Sequence, residues 1–363
     1  MLFPRVIAER HNMIRIKNET YLDYINPDSK ANIIKYSLGG LMYTPAHNDR
    51  VSAFLAEKRY SHLRSLALCL EDAIADGSEK EAVNQIKKTF SEIEKAVSEG
   101  IVSEDELPYI FIRVKTPEQI DEVYDQIRYS KHFSGFILPK FDLENAEKYL
   151  THISKINECA DNNVYAMPIL ESHSVSDIRN RTNNLAEIKC ITDTFYDCIL
   201  NIRIGGNDFC SRFGVRRKIS DTIYDIAVIS SIISDIVNIF NADYVISAPV
   251  WDYFSGTNPE DTRWKNGLRR EMKKDILNGL TGKTAIHPSQ LEIINSELAV
   301  TKEDFSDAVS ILNWNDNLLA VSKSISGSRM NEKKVHGNWA EKIAIRAAVY
   351  GIKDIERKPE TID

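Results

Sequence analysis

The segment CILNIRIGGNDF (residues 198–209) is an apolar, β-forming run that stops at two glycines, an amide and a carboxylate. A run of this kind without alternation reads as a strand buried on both faces, as in a parallel sheet, and its C-terminal end delivers Asp208 into a cleft. Taken alone, Asp208 has two readings. It is a cation ligand if other acids end similar strands nearby, and otherwise the N-cap of the following helix.

The flanking segments repeat the pattern. SLGGLMYTPA (37–46), SLALCLEDAI (65–74), YIFIRVK (109–115), GFILPKF (135–141) and VYAMPILES (164–172) precede it; YVISAPVWDYF (244–254) and TGKTAIHP (281–288) follow. Helical spacing lies between them, near 48–60, 79–98, 117–129, 143–157 and 175–189, with a basic helix NGLRREMKKDILNGL before the eighth strand. Alternating strands and helices imply parallel pairing, and eight units between Ser37 and about Asn295 match the size of an α/β closed (β/α)8 barrel. An open doubly wound sheet is the alternative. It is disfavoured because no strand runs into G-x-G-x-x-G and polar residues follow nearly every strand. Residues 1–36 read as an N-terminal extension, 37–300 as the barrel, and 301–363 as a C-terminal helical appendage. Its helices are expected near 302–322 and 331–350, joined by a linker at 324–328.

The 363 residues are 43% hydrophobic and 27% charged, a globular composition. A formal net charge of −7 argues against nucleic acid as a partner, because phosphate binding needs a cationic footprint. Five cysteines without a C-x-x-C pair indicate neither a disulfide framework nor a zinc knuckle. With no uncharged stretch of transmembrane length, a cytoplasmic protein without a membrane partner is expected.

In such a barrel the C-terminal strand ends converge on one mouth, where active sites lie. Those ends carry His47 and Arg50, Glu71 and Asp72, Arg113, Lys140, Glu171, Asp208, Trp251 and Asp252, and His287. Glu171 and Asp208, from adjacent strands, suit Mg2+, a hard cation that keeps positions open for water and substrate. A 2-oxo acid could bind there while Arg113 holds its carboxylate as a fixed fork, an arrangement that stabilises an enolate. Glu71 and Asp72 would orient water; Arg50, Lys140 and Arg203 would meet the remoter anionic part of the substrate. Gly205 and Gly206 would allow close approach beside the ion. Plainer readings stand beside these: acids in a helix first turn for Glu71 and Asp72, rim ion pairs for Arg113 and Lys140, a backbone hydrogen bond for His287, and an outward-pointing Arg203. The aromatic and basic residues Trp251, Tyr253, Phe254, Trp264, Arg269 and Arg270 either wall a pocket for a phosphorylated or nucleotide-like substrate or pack a long loop on the rim.

Several of these segments together resemble the HpcH/HpaI aldolase and citrate lyase β-subunit (CitE-like) family over roughly residues 37–300. LTGKTAIHPSQLEIIN is similar to its G-x-x-G-K-x-x-I-H-P-x-Q element, LCLEDAIADGSEKEA to its D-L-E-D-A-V strand end, and IRV, ILPK, PILES and GGNDF to further strand ends. The resemblance implies a carbon-carbon lyase, with the substrate-binding arginine carried onto Arg113 and the Mg2+ ligands onto Glu171 and Asp208. It also implies a homo-oligomer, a trimer or hexamer, acting on a small acidic metabolite. The family's P-G-x-x-x-R segment lacks its glycine in Thr44-Pro45-Ala46-His47-Asn48-Asp49-Arg50, which weakens the expectation of a coenzyme A thioester substrate. Arg329-Met330-Asn331-Glu332 loosely matches a K-M-[IV]-D element, placing Glu332 as an acid supplied in trans, or else as a surface charge. The two termini also resemble CitE-like lyases encoded with bacterial tellurite-type stress-response genes. The function these readings imply is Mg2+-dependent aldol or Claisen-type cleavage or condensation through an enolate. The alternative is a catalytically silent barrel that binds an acidic metabolite or a protein partner.

Overall fold

The computed structural model describes residues 16–25, 32–75, 77–258, 260–314, 321–324, 327 and 329–353. Eight strands pair in parallel: β1 (Gly40–Pro45), β2 (Ser65–Cys69), β3 (Tyr109–Arg113), β4 (Phe133–Leu138), β5 (Tyr165–Leu170), β6 (Ile202–Ile204), β7 (Ile246–Ser247) and β8 (Lys283–Ala285). β8 pairs with β1, and a bridge between Ala248 and Lys283 joins β7 to β8, so the sheet closes on itself. Three backbone bonds hold that seam: Thr281 N–H to Ile246 O at 2.8 Å, Ala248 N–H to Gly282 O at 3.0 Å and Thr284 N–H to Ala248 O at 3.3 Å. The fold is a (β/α)8 barrel.

Helices α1 (Val51–Ala56), α2 (Glu79–Ser98), α3 (Gln119–Ile127), α4 (Ala146–Cys159), α5 (Arg181–Thr194), α6 (Ala227–Phe240), α7 (Arg263–Leu277) and α8 (Leu291–Leu298) follow the strands. The strands are apolar on both faces because they bury both. Outward residues such as Leu66, Leu68, Ile110, Ile112, Ile202 and Ile204 join the helices in one large core. Inward residues Leu41, Ala67, Phe111, Ile137, Met167 and Ile169 fill the barrel. Period-two alternation therefore turns Arg203, between Ile202 and Ile204, into the barrel.

The segments outside the barrel differ from expectation in detail. Of residues 1–36, those described form a 3-10 turn, Glu19–Tyr24, and a short helix, Ile33–Tyr36. In the C-terminal part, α9 (Lys302–Leu312) ends ten residues before the expected 322, and part of that expected helix, 315–320, lies outside the described residues. Where the end of one expected helix and the start of the next should lie, Val321–Lys323 and Met330–Glu332 pair as an antiparallel ladder; of the expected linker at 324–328, residues 325, 326 and 328 lie outside the described residues. α10 (Lys333–Tyr350) then runs back to the barrel, where Tyr350 Oη donates to Tyr36 O at 2.5 Å. No described helix is long and apolar enough to cross a membrane.

Candidate active site

The strand ends bring four acids and two bases together at the mouth. Arg113, the last residue of β3 and 7% exposed, is held by three carboxylates: Glu71 Oε2 at 2.7 Å, Asp72 Oδ2 at 3.1 Å and Glu171 Oε1 at 3.2 Å. Lys140 Nζ lies 2.5 Å from Glu71 Oε1 and 4.0 Å from Asp72 Oδ1. Lys140 is also in the left-handed region at φ 47°, unusual for a side chain without a local hydrogen bond to its own backbone. That backbone aims its N–H at Glu171 Oε1, 3.0 Å away. The conformation thus fixes one oxygen of Glu171 and leaves the other for the cavity.

The electrostatics follow from burial and crowding. Burial, together with repulsion from Asp208, pushes the Glu171 carboxyl up to about 8, against the pull of Arg113. Glu71 is raised by burial and by its hydrogen bond with Asp72. Asp72, despite partial burial, is held below the usual carboxylate range by its bond to Glu71 and by Arg113 and Lys140. Burial works against the charge on Arg113, but Tyr43, Glu171 and Glu71 outweigh it and the group is held cationic. With Arg203 in the same cavity, three cations face four carboxylates, an excess of one negative charge before any proton is added.

That excess and the adjacency of Glu171 and Asp208 fit a divalent cation. Among the described residues no three His, Cys, Asp or Glu side chains are grouped to hold a metal, so a cation here would rest on these two carboxylates. Mg2+ is commonly bound by one or two carboxylates with its remaining positions taken by water and substrate. Space for both exists: a cavity of about 310 Å3 is lined by Glu171 and Asp208 together with Tyr43, Cys69, Asp72, Arg113 and Arg203.

Gly205 makes the approach of the two acids feasible. A Cβ there would stand 2.1 Å from Glu171 Oε2 and 2.3 Å from Glu171 Cβ. At φ −92° the backbone itself suits any residue, so the penalty for a side chain is purely steric. Gly205→Ala is expected to cost about 1–3 kcal/mol of stability as overpacking, read by urea unfolding, and to displace the Glu171 carboxylate. Gly206 serves a different contact, with Pro249.

The structure settles several open readings. Asp208 is in the first turn of a short helix, Gly206–Arg212, whose N-cap position is Gly205, so Asp208 is not the cap. Glu71 and Asp72 precede α2 by several residues and are not in its first turn. Arg113 and Lys140 do form ion pairs, but with the mouth acids.

Four expected substrate or catalytic contacts are corrected. Glu71 lies behind Arg113 and does not line the cavity. Lys140 does not line it either, because its ammonium is turned onto Glu71. Arg50 is exposed at the start of α1. His287 is a cap: its Nδ1 accepts from Ser289 N–H at 3.2 Å, and its ring stacks on Phe254 at 4.7 Å. Glu332, expected to serve a neighbouring subunit, sits at the start of α10, away from the cavity of its own chain, and donates its N–H to His336 Nδ1 at 2.9 Å.

The loop between β7 and β8 packs on the rim. Trp251 and Trp264 are buried, Arg269 pairs with Glu297, and Arg270 donates to backbone oxygens. Gln290 braces this loop, donating to Trp251 O and Tyr253 O at 2.9 Å each. Tyr43, Cys69 and Thr284 line the cavity without having been singled out by sequence; strand alternation was the signal that could have found them.

Solved structures share this architecture. CitE from Mycobacterium tuberculosis, in complex with magnesium, acetoacetate and coenzyme A, matches with a TM-score of 0.56 at 19% identity, over 86% of this chain and 99% of that one. At that identity the match shows the fold. Citrate lyase β-subunit from M. tuberculosis, complexed with oxaloacetate and magnesium, matches with a TM-score of 0.47 at 19% identity, over 72% and 96%. RipC from Yersinia pestis matches with a TM-score of 0.46 at 14% identity, over 72% and 95%. No curated relative matches the sequence. The family model described as C-C_Bond_Lyase of the TIM-Barrel fold matches residues 32–352, the whole barrel and the C-terminal helices packed on it, and the chain belongs to that family of carbon-carbon bond lyases.

Proposed function

We propose that this protein is a Mg2+-dependent carbon-carbon lyase acting on a small 2-oxo acid by aldol-type cleavage or its reverse. The observation that carries this reading is the Glu171–Asp208 pair beside Arg113, all three lining one cavity. Glu171 and Asp208 would hold Mg2+, which when bound supplies Lewis-acid stabilisation of the oxygen that becomes anionic as the bond breaks. Arg113 lines the cavity with a planar fork and an unpartnered Nε, and offers donors to the substrate carboxylate. Glu71 is a positioning residue, fixing Arg113 from behind. Asp72, which lines the cavity, is placed to accept the proton released as a hydroxyl becomes a carbonyl. Family membership supports the reaction class.

The test is turnover of 4-hydroxy-2-oxo acids, read as released 2-oxo acid, with loss on chelation and recovery with Mg2+. Tight Mg2+-dependent binding without turnover of any such acid would favour the second reading, a silent barrel. The saturation of Arg113 by three carboxylates is what keeps that reading in view. Arg113→Lys keeps the charge but loses the fork, and is expected to lower kcat/KM by about 100-fold, as removal of an oriented donor does. Steady-state kinetics at saturating Mg2+ would check it.

A further inference from the structure

The proposed cleavage needs two proton movements, and only the first has a group assigned to it. As the carbon-carbon bond breaks, Asp72 takes the proton of the substrate hydroxyl. The electron pair of the broken bond then lies on an enolate, whose carbon must gain a proton before a 2-oxo acid is released. The donor has to be a group that lines the cavity. Arg113 and Arg203 hold their protons too firmly, Glu171 and Asp208 would be ionised on a cation, and Thr284 and Asn207 are far weaker acids. Tyr43 and Cys69 are left.

Tyr43 faces inward from β1, is half-buried and opens on the cavity. It lies one inward layer below the strand ends, since it is in register with Ala67 and Phe111 while Arg113 is two residues further along β3. Arg203, itself 2% exposed, donates to the Tyr43 hydroxyl and, at 2.8 Å, to Thr284 Oγ1. A hydroxyl that accepts from a guanidinium directs its own hydrogen elsewhere, and the open side of Tyr43 is the cavity. Burial raises the Tyr43 pKa above the ordinary tyrosine value although Arg203 and Arg113 oppose it, so the proton is in place at neutral pH; Cys69 and Glu171 are the other titratable groups acting on it. Once the proton leaves, the phenolate supplies Arg203 with a counter-charge that no described carboxylate provides. Cys69 has a poorer setting. Its Sγ meets Arg113 Nη1 at 4.0 Å, and the charge of that arginine is already shared among three carboxylates.

We propose that Tyr43 is the acid that protonates the enolate carbon and, in the condensing direction, the base that removes that proton, with Arg203 as the positioning residue that steadies the phenolate. The inference rests on the mouth being a 2-oxo acid lyase site; its own content is the identity of the proton donor. The O–H bond of Tyr43 breaks as a C–H bond forms, and the phenolate keeps the electron pair. The proton that Asp72 took from the substrate hydroxyl returns to the phenolate through water, which restores both groups.

The test is exchange of the methyl hydrogens of pyruvate in heavy water, followed by proton NMR at saturating Mg2+, beside cleavage of a 4-hydroxy-2-oxo acid. Wild type should catalyse both. Tyr43→Phe should slow exchange by about 100- to 10,000-fold, the range of a general acid or base, while a single-turnover burst of aldehyde persists. Oxalate has the planar shape of the enolate but no carbon to protonate, and calorimetry should find it bound to Tyr43→Phe within about 10-fold of wild type, the loss of one hydrogen bond. Exchange should rise with pH as the phenolate forms. Replacing Tyr43 by 3-fluorotyrosine, a more acidic phenol of nearly the same shape, should move that rise to lower pH, which a purely structural tyrosine would not do. This second variant keeps the Arg203 hydrogen bond and decides the matter if Tyr43→Phe does not fold. Exchange at the wild-type rate in Tyr43→Phe would overturn the assignment, as would an unmoved pH dependence with 3-fluorotyrosine. Exchange lost in Cys69→Ala but kept in Tyr43→Phe would assign the thiol instead. Equal losses of exchange and of oxalate affinity would show a tyrosine that only shapes the cavity. A wild-type protein that neither cleaves nor exchanges would overturn the reading of the site together with this inference, whereas cleavage with exchange untouched by Tyr43→Phe would overturn the inference alone.

Discussion

Glu171→Gln is expected to weaken Mg2+ binding by more than about 100-fold, beyond the ~10–100-fold typical of losing an outer partner of a metal ligand, and to abolish measurable turnover. Asp208→Asn should do the same. The Glu171 variant should also differ from wild type when metal is absent. Without a cation, the wild-type Glu171 carboxyl sits at about 8 against an ordinary 4.5, because burial and Asp208 disfavour its charge. The folded state therefore holds a proton that the unfolded chain has lost between those values. Stability is fully present below about pH 4.5 and falls as pH rises through about 8, with a slope of at most about 1.4 kcal/mol per pH unit for one proton. Glutamine mimics the protonated acid, so Glu171→Gln should flatten that slope and be the more stable protein at pH 9. Mg2+ reverses the preference: binding must release the proton, so affinity should climb with pH up to about 8 and level off above it. Calorimetry across pH 6 to 9, with urea unfolding of the metal-free protein, reads all of this. Unchanged Mg2+ affinity in both variants would sink the metal assignment.

The pairing of Glu171 with Asp208 was legible because both acids end uninterrupted apolar runs, and a run of that kind has one structural solution in an alternating chain. Barrel parity was legible too, but was not carried far enough. Arg203 lies between two isoleucines, and once Ile202 and Ile204 pack outward it has to face in. What could not be read was the partnership around Arg113. Its three acids come from β2 and β5 strand ends whose relative height depends on the barrel's stagger, and the turn of Lys140 into the left-handed region removes its ammonium from the cavity. The apparent substrate contacts of Lys140 and His287 are absorbed by side-chain geometry that spacing does not encode. The ladder at 321–323 and 330–332 was missed for a simpler reason: its polar, serine-rich sequence has no apolar period to mark a strand.

Lys283→Met is expected to destabilise the protein by about 3–5 kcal/mol, the range for removing one partner of a buried ion pair, and the loss should shrink in acid. Lys283 is fully buried and points outward from β8, where Nζ meets Glu271 Oε1 and Asp275 Oδ2 of α7 at 2.8 Å each. Tyr224 Oη and the Ile223 N–H complete the two carboxylates, at 2.8 Å each. Burial already pushes Asp275 up to about 6, with Lys283 opposing the shift and Glu271 adding to it. Without the lysine, Arg217 is the cation left beside Glu271, at 3.4 Å, and Asp275 would be driven further toward the protonated form. Its folded pKa then lies further above the unfolded one, so the variant's stability is present in acid and lost as pH rises. Urea unfolding should therefore show a smaller deficit at pH 5 than at pH 8, and adding Asp275→Asn should recover part of it at pH 8. A deficit that does not vary with pH would mean that Asp275 stays ionised without its partner. The consequence reaches the cavity, because Thr284, the next residue, turns inward and receives Arg203. The ion cluster on the outside of β8 thus fixes the strand from which Thr284 holds Arg203 at the base of the cavity.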